Sequence, residues 1–367
     1  MAAGLPEDLA TPALVIRLDR VRANVAELRR RAGGPERLRP HLKTSKIPEV
    51  WALLLEAGLR ACKCATTREA AVLLELAGRR SERVDLLVAF AHRGANLARL
   101  AALAAAHPGQ RLAVLAEEPE QAAAAAAAGL GVFLDLDPGD HRSGVPLADR
   151  QRARAVAAAA GPALAGCHFY EGGIRDADPE RRRRRAWEGY ARLLSTVDEL
   201  GLGGLEIVTS GTPTFDAALA FPGFAGRRHR VSPGTVILHD LASGELGVAG
   251  FQPAATVLST VISVPTAGRA TLDAGAKALD AACGVPNCAV VGRPELEPLA
   301  PSEEHLPLRV LAGPPLRHGE RLELVPRHVC PTVNLHDRAF LVADGAGRLV
   351  PVAARGHEVG PDPLPAR

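Results

Sequence analysis

Residues Leu38–Glu49 read L-R-P-H-L-K-T-S-K-I-P-E, and the pattern changes in the middle. A short basic and apolar run, strand-like in character, ends on Lys43, and Pro48 and Glu49 then open an apolar-periodic helix. Lys43 therefore falls at a strand-to-helix junction. A lysine becomes a Schiff-base nucleophile when its ammonium is desolvated or crowded by other cations, because both effects favour the neutral amine. Arg39, His41 and Lys46 are the neighbours expected to crowd it. Taken alone, Lys43 and Lys46 read equally well as solvent-facing residues at a helix start. The remainder of the chain decides between the two.

Working outward, Thr11–Asp19 forms an apolar strand, and Asp19 can cap a helix running to about Arg31. Strand-like runs then recur at Leu38–Leu42, Ala61–Ala65, Val84–Ala89, Arg111–Ala116, Val132–Leu136, Ala163–Phe169, Leu205–Val208 and Arg228–Val231. Helical stretches separate them, among them Pro48–Ala57, Arg68–Ala77, Ala95–Ala106, Pro119–Ala128, Ala148–Ala160 and Pro179–Leu200. Alanine tracts such as Gln121–Ala128 are helix formers rather than disordered filler. Eight short strands alternating with helices predict a (β/α)8 TIM barrel, and no G-x-G-x-x-G or Walker loop argues for a doubly wound nucleotide fold. After about His239 the helical period is lost. Thr256–Val264, Arg269–Asp273, Glu320–Pro326 and Ala339–Val342 read as strands of a smaller all-β domain. The expected domains are residues 1–243 and 244–367, with the strand Ala13–Leu18 able to pair with the second.

Chemistry in such a barrel collects where strands end. Those positions are Lys43, Thr66, Phe90, Glu117, Asp137 with Arg142, His168 with Tyr170, Ser210-Gly211-Thr212, and Ser232 with Gly234-Thr235. The last two sets are small, hydroxyl-bearing and glycine-rich, as a phosphate held by backbone N–H groups requires, although S-G-T-P-T and S-P-G-T are also ordinary turn sequences. With a lysine on the first strand they describe a phosphorylated aldehyde cofactor at the barrel mouth.

A second constellation lies in V-P-R-H-V-C-P-T-V-N-L-H-D. In an extended strand His328 and Cys330 project from one face and can share a metal. A structural zinc wants four protein ligands, whereas fewer leave positions for water or substrate, and a thiolate favours zinc over magnesium or manganese. An isolated H-x-C pair more often means a loop histidine and a packed cysteine, and His305 or His336 are equally open as ligands.

Composition narrows the function classes. Lys and Arg number 44 against 41 Asp and Glu, so a net charge of +3 recommends neither nucleic acid nor a membrane surface as partner. The basic run Arg181–Arg185 shares its helix with Glu180, Glu188 and Asp198 and reads as a solvated face. No basic n-region with an apolar h-region opens the chain, and no apolar run is long enough for a bilayer, which predicts a cytoplasmic protein. Six cysteines in a chain of this length read as thiols rather than a disulfide framework.

In combination and order, T-P-A-L-V-I-R-L-D (Thr11–Asp19), R-P-H-L-K-T (Arg39–Thr44), D-P-G-D-H-R-S-G-V (Asp137–Val145), S-G-T-P-T (Ser210–Thr214), S-P-G-T (Ser232–Thr235), L-D-A-G-A-K-A-L (Leu272–Leu279), S-E-E-H (Ser302–His305) and H-V-C-P-T-V-N-L (His328–Leu335) resemble the fold-type III pyridoxal-phosphate enzymes, in the branch of D-serine dehydratases and D-threonine aldolases. The resemblance implies an alanine racemase N-terminal-like barrel followed by a β-domain. It implies Lys43 as the cofactor-bearing lysine and Cα base, Arg142 approaching the cofactor face, and His168 and Tyr170 lining it. Ser210, Gly211, Thr212, Gly234 and Thr235 would hold the phosphate of pyridoxal 5'-phosphate, and His328 and Cys330 would hold zinc. The expected activity is β-elimination of the hydroxyl from a D-3-hydroxyamino acid, giving a 2-oxo acid and ammonia. Aldol cleavage to glycine and an aldehyde is the alternative, and a non-catalytic carrier of the cofactor stands behind both. Aldolase relatives more often carry an aspartate where Cys330 stands, which tilts the choice towards elimination. The resemblance also implies a homodimer. Ser45 replaces a histidine of many relatives, and Ser232 stands where alanine racemases set an arginine against the pyridine nitrogen, so a full positive charge at that nitrogen is not expected. Both tyrosines, Tyr170 and Tyr190, fall in the barrel, which removes the second-domain tyrosine that racemisation needs.

Overall fold

A computed structural model describes residues 5–360. The chain forms two compact units that are interleaved in sequence. Among the described residues, one contains residues 28–43, 54–234 and 356–360; the other contains residues 5–27, Thr44–Leu53 and Thr235–Arg355.

The strand β1 (Ala13–Arg17) belongs to the second unit. The first unit is built on β2 (Ala61–Cys64), β3 (Asp85–Val88), β4 (Arg111–Ala116), β5 (Gly131–Asp137), the two-residue β6 (Val145–Pro146), β7 (Leu164–Phe169), β8 (Glu206–Thr209) and β9 (His229–Val231). These pair in parallel in the order β2-β3-β4-β5-β7-β8-β9, with β6 against β5. Helices such as Thr67–Arg79, Gly94–Ala106, Arg150–Ala160 and Pro179–Glu199 alternate with them. The predicted first strand, Leu38–Leu42, is not a regular strand. Isolated parallel bridges Leu38↔Val231 and His41↔Lys63 instead connect β9 to β2 and close the curl. Pro40 explains the irregularity: it has no N–H for a ladder, and only its carbonyl is used, accepting from Lys63 N at 2.9 Å. The chain then enters a 3-10 turn, Leu42–Thr44, that carries Lys43.

Inside the curl, Leu87, Ala113, Leu115, Phe133 and Val208 form a buried apolar layer. Beneath the closing segment sits Arg39, with no exposed surface. Its guanidinium donates to both carboxylate oxygens of Glu206 at 2.8 and 3.1 Å and to Asp85 Oδ1 at 3.1 Å. Glu206 and Asp85 begin β8 and β3, so the arginine lies at the N-terminal end of the strands. Arg39 was expected to crowd Lys43, but its charge is committed here instead.

The second unit holds a nine-stranded sheet of mostly antiparallel strands. Its remaining members are β10 (Ala255–Ser263), β11 (Arg269–Leu272), β12 (Cys288–Val290), β13 (Leu296–Pro298), β14 (Leu306–Val310), β15 (Arg321–Pro326), β16 (Arg338–Ala343) and β17 (Ala346–Pro351). The main order is β13-β14-β11-β10-β1-β16-β17, with β15 pairing β10 and β12. β1 runs antiparallel to β10, Ala13 opposite Leu258, and parallel to β16, Leu14 opposite Ala339. Val257, Leu272, Leu306, Leu308 and Leu324 make its core. Asp19 sits in the first turn of the helix Leu18–Ala32 rather than capping it.

Two substitutions test this architecture by denaturant unfolding. Arg39→Ala takes from buried Glu206 its fully buried partner and leaves it only the half-buried Arg230 at Oε2, which should cost about 3 kcal/mol. Gly166 lies opposite Phe133 in the β5–β7 register, and a Cβ there would collide with the Phe133 ring and the Glu206 carbonyl. Gly166→Ala should therefore cost about 1–3 kcal/mol through overpacking.

Candidate active site

A cavity of about 540 Å³ in the barrel unit is lined by His41, Lys43, Lys63, Phe90, Glu117, Asp135, Arg142, Ser143, His168 and Tyr170. It brings together six of the strand-end residues expected from sequence: Lys43, Phe90, Glu117, Arg142, His168 and Tyr170. Of the three cations predicted to crowd Lys43, only His41 is there. Lys46 belongs to the other unit and donates to the Ala354 carbonyl at 3.3 Å. The crowding comes instead from Lys63, which the sequence reading did not single out.

Lys63, on β2, is 1% exposed. Burial, reinforced by the charge of Lys43, lowers its pKa to about 7. Its Nζ is 3.4 Å from His168 Nε2, and His168 Nδ1 is 2.7 Å from Asp135 Oδ1. Asp135 and His168 are direct register partners on β5 and β7, so the sheet itself fixes this contact. Burial lowers the His168 pKa, against the pull of Asp135. The other Asp135 oxygen accepts from Ser143 Oγ at 3.0 Å.

Arg142 is placed by the loop after β5. Asp137 Oδ1 accepts from the Gly139 and His141 amides at 2.9 and 3.1 Å, folding the loop back. The guanidinium carbon of Arg142 then lies 4.7 Å from the centre of the Tyr170 ring. Thr66, also at a strand end, caps the helix Thr67–Arg79 with Glu69 as reciprocal partner and does not line the cavity.

The turn after β8 shows what it lacks. Ser210 and Thr212 are buried, yet neither hydroxyl has a hydrogen-bond partner. A buried polar atom left this way is costly unless something fills the site. Gly211 lies against Tyr170: a Cβ there would come within 2.9 Å of the ring. Two orphaned hydroxyls flanking a glycine fit a phosphate. Ser210 adopts φ 65°, and its N–H donates to Glu171 Oε2 at 3.2 Å. Glu171 also accepts from Thr214 Oγ1 at 2.7 Å and from the Tyr190 hydroxyl. Burial raises its pKa. Glu171 thus shapes the turn, a role the sequence reading missed. Ser232 is occupied, its hydroxyl donating to the Arg39 carbonyl at 2.7 Å.

In the other unit, His328 and Cys330 do not share a strand. His328 occupies the N-cap position of the helix Val329–Leu335 without a side-chain capping bond, and Cys330 lies in its first turn, where Pro331 is tolerated because the first turn needs no N–H donor. The two side chains still meet. A hydrogen bond to Cys330 raises the His328 pKa. Burial pushes the Cys330 thiol up, but His328 and the hydroxyls of Thr235 and Thr44 outweigh it and leave the thiol below its ordinary value. Those hydroxyls lie 3.5 and 3.2 Å from Cys330 Sγ. By contrast, burial pushes Cys62, Cys167 and Cys288 up to about 12, which marks them as packing residues. A low-pKa thiol beside an imidazole is a soft donor pair suited to zinc.

The family model described as "Alanine racemase, N-terminal domain" matches residues 16–235, and one described as "Putative serine dehydratase domain" matches residues 254–342. The chain belongs to the fold-type III pyridoxal-phosphate enzymes. It is 33% identical to a D-threonine aldolase from an Arthrobacter species, covering 94% of this chain and 93% of that one. To the D-threo-3-hydroxyaspartate dehydratase of Delftia sp. (strain HT23) it is 30% identical, covering 92% and 96%. Among solved structures, the D-threonine aldolase of Filomicrobium marinum superposes with a TM-score of 0.80 at 29% identity, covering 95% of this chain and 96% of that one. A D-threo-3-hydroxyaspartate dehydratase has also been solved as a histidine-to-alanine mutant and as a cysteine-to-alanine mutant in a metal-free form, the two altered positions lying two residues apart. His328 and Cys330 have the same residue types at the same spacing.

The neutralised Lys63 yields a test with a defined sign. From about pH 7 up to the ordinary lysine value of 10.5, the unfolded chain holds the Lys63 proton and the folded chain does not. Folding stability contributed by this group therefore rises with pH across that window, by at most about 1.4 kcal/mol per unit. Urea unfolding of wild type and Lys63→Met at several pH values should show the difference between them widening in favour of wild type above pH 7.

Proposed function

We propose that the protein is a pyridoxal-phosphate- and zinc-dependent dehydratase of D-3-hydroxyamino acids, a lyase releasing a 2-oxo acid and ammonia. The observation that carries elimination over aldol cleavage is the His328–Cys330 pair, with its thiol held below the ordinary value. It matches in type and spacing the two positions altered in the D-threo-3-hydroxyaspartate dehydratase mutants, one of them metal-free. Aldol cleavage to glycine and an aldehyde is the second reading, favoured by the 33% identity to the Arthrobacter aldolase.

Ser210 and Thr212 supply the hydroxyls for the cofactor phosphate and Gly211 the close approach, with Gly234 and Thr235 as further phosphate residues. Lys43 bears the cofactor, and its freed amine takes the Cα proton. Tyr170 and Arg142 wall the cofactor, and Lys63, with its pKa near 7, can hold or release a proton at His168 Nε2. When bound, the cofactor supplies an electron sink for charge at Cα and the metal a Lewis acid for the β-hydroxyl. The protein acts as a cytoplasmic homodimer on a small-molecule substrate. Among the described residues, no helix is long and apolar enough to cross a membrane.

Proton NMR of the products from D-threonine and D-threo-3-hydroxyaspartate discriminates the readings. The expected outcome is 2-oxobutanoate or oxaloacetate with ammonia, whereas glycine with an aldehyde would establish the aldolase. His328→Ala and Cys330→Ala should each lower turnover by about 100-fold or more while the yellow cofactor stays bound. Borohydride reduction and peptide mapping should label Lys43. A label on Lys46 or Lys63 would refute that assignment.

A further inference from the structure

His328 has a second set of potential metal donors besides Cys330. Asp280 and Cys283 lie on the loop between β11 and β12. The Asp280 N–H donates to Thr332 Oγ1 at 3.2 Å, and that hydroxyl donates to the His328 carbonyl at 2.9 Å. The loop is thereby tied to the helix that presents the imidazole. Cys283 Sγ is 3.3 Å from His328 Nδ1, and the donor atoms of Asp280, Cys283 and His328 all lie within 4.8 Å of one another.

The separations fit an ion. With Zn–S near 2.3 Å and Zn–N near 2.0 Å, tetrahedral geometry places sulfur and nitrogen about 3.5 Å apart. A thiol–imidazole hydrogen bond would account for Cys283 by itself, but it leaves the carboxylate unexplained. Asp280 Oδ2 is buried and accepts no hydrogen bond, a costly state that a cation relieves.

We infer that Cys283 and Asp280 are protein ligands of the metal held at His328, so that the ion is gripped from two separate segments. The inference rests on His328 being a metal ligand, as proposed above. On binding, the ion replaces the thiol proton of Cys283, which is released to water. Sulfur and imidazole donors favour zinc over magnesium, which requires octahedral oxygen ligands, and expansion of zinc to five-coordinate keeps a position for the β-hydroxyl.

Cobalt(II) titration of the full-length chain reads this directly, since each bound thiolate adds a near-ultraviolet charge-transfer band. Wild type should show the band of two thiolates, from Cys283 and Cys330. Cys283→Ala should lose about half of it and bind cobalt at least about tenfold more weakly. The near-isosteric Cys283→Ser, with its fold checked by circular dichroism, should lose the same intensity. Asp280→Asn should weaken binding while keeping the full band. A Cys283→Ser protein with the intensity and affinity of wild type, alongside a Cys330→Ala protein that has lost the whole band, would overturn the inference and leave the His328–Cys330 pair standing. No cobalt uptake by wild type, or undiminished uptake by His328→Ala, would overturn both the inference and the reading on which it rests.

Discussion

A single fully buried guanidinium holds the closing seam of the barrel. Arg39 reaches Glu206 and Asp85, on strands that are not neighbours in the sheet, from the segment that bridges the first and last strands. Pro40 denies that segment a regular ladder, so side-chain anchorage must replace backbone hydrogen bonds. Lys43 is four residues further along, and its position is inherited from that anchor. The two charges, close together in sequence, have separate fates: Arg39 is neutralised by carboxylates at the strand starts, while Lys43 faces a cavity with other cations.

Those cations explain why the cavity suits an anionic ligand. Lys43, Lys63 and Arg142 face it with Glu117 and Asp135, and the carboxylates are engaged: Asp135 by His168 and Ser143, Glu117 by the Gly144 amide. Holding so many cations together in a buried place is unfavourable, and Lys63 relieves it by giving up its proton near pH 7. A cluster of amines of which one is neutral can accept an anionic ligand and still keep a base.

Much of this was legible in the sequence. Seven of the eight barrel strands lie within two residues of where periodicity puts them, because each is an apolar run ending at a polar or small residue. The second sheet was read less completely. Cys288–Val290 and Leu296–Pro298 are three residues each, too short to show a period of two, and they acquire strand character only from their partners. His328 and Cys330 were read as an extended pair, whereas one occupies the N-cap position of a helix and the other lies in its first turn; V-C-P-T-V-N-L carries too few residues to declare a helix from pattern. Lys63 was the avoidable omission. In A-C-K-C-A (Ala61–Ala65) a lysine interrupts an otherwise apolar strand, and a strand buried on both faces has nowhere to put it except the barrel interior. Glu171 had no such signal, since its role depends on Ser210, Thr214 and Tyr190 meeting across three separate elements.

Glu171 also sets how the turn after β8 can bind an anion. By taking the Ser210 N–H, it removes the amide that would otherwise lead a backbone phosphate nest. What remains at Ser210 is its hydroxyl, unpartnered like that of Thr212, so recognition at these two residues passes to side chains. A buried carboxyl this close to a phosphate would repel it were its charge not already met by the Tyr190 hydroxyl, the Thr214 hydroxyl and the Ser210 amide. One of these three bonds ties the left-handed Ser210 to the carboxyl, and all three quench the charge behind it. A proposed anion site built this way depends on the integrity of the Glu171 cluster as much as on the Ser210 and Thr212 hydroxyls.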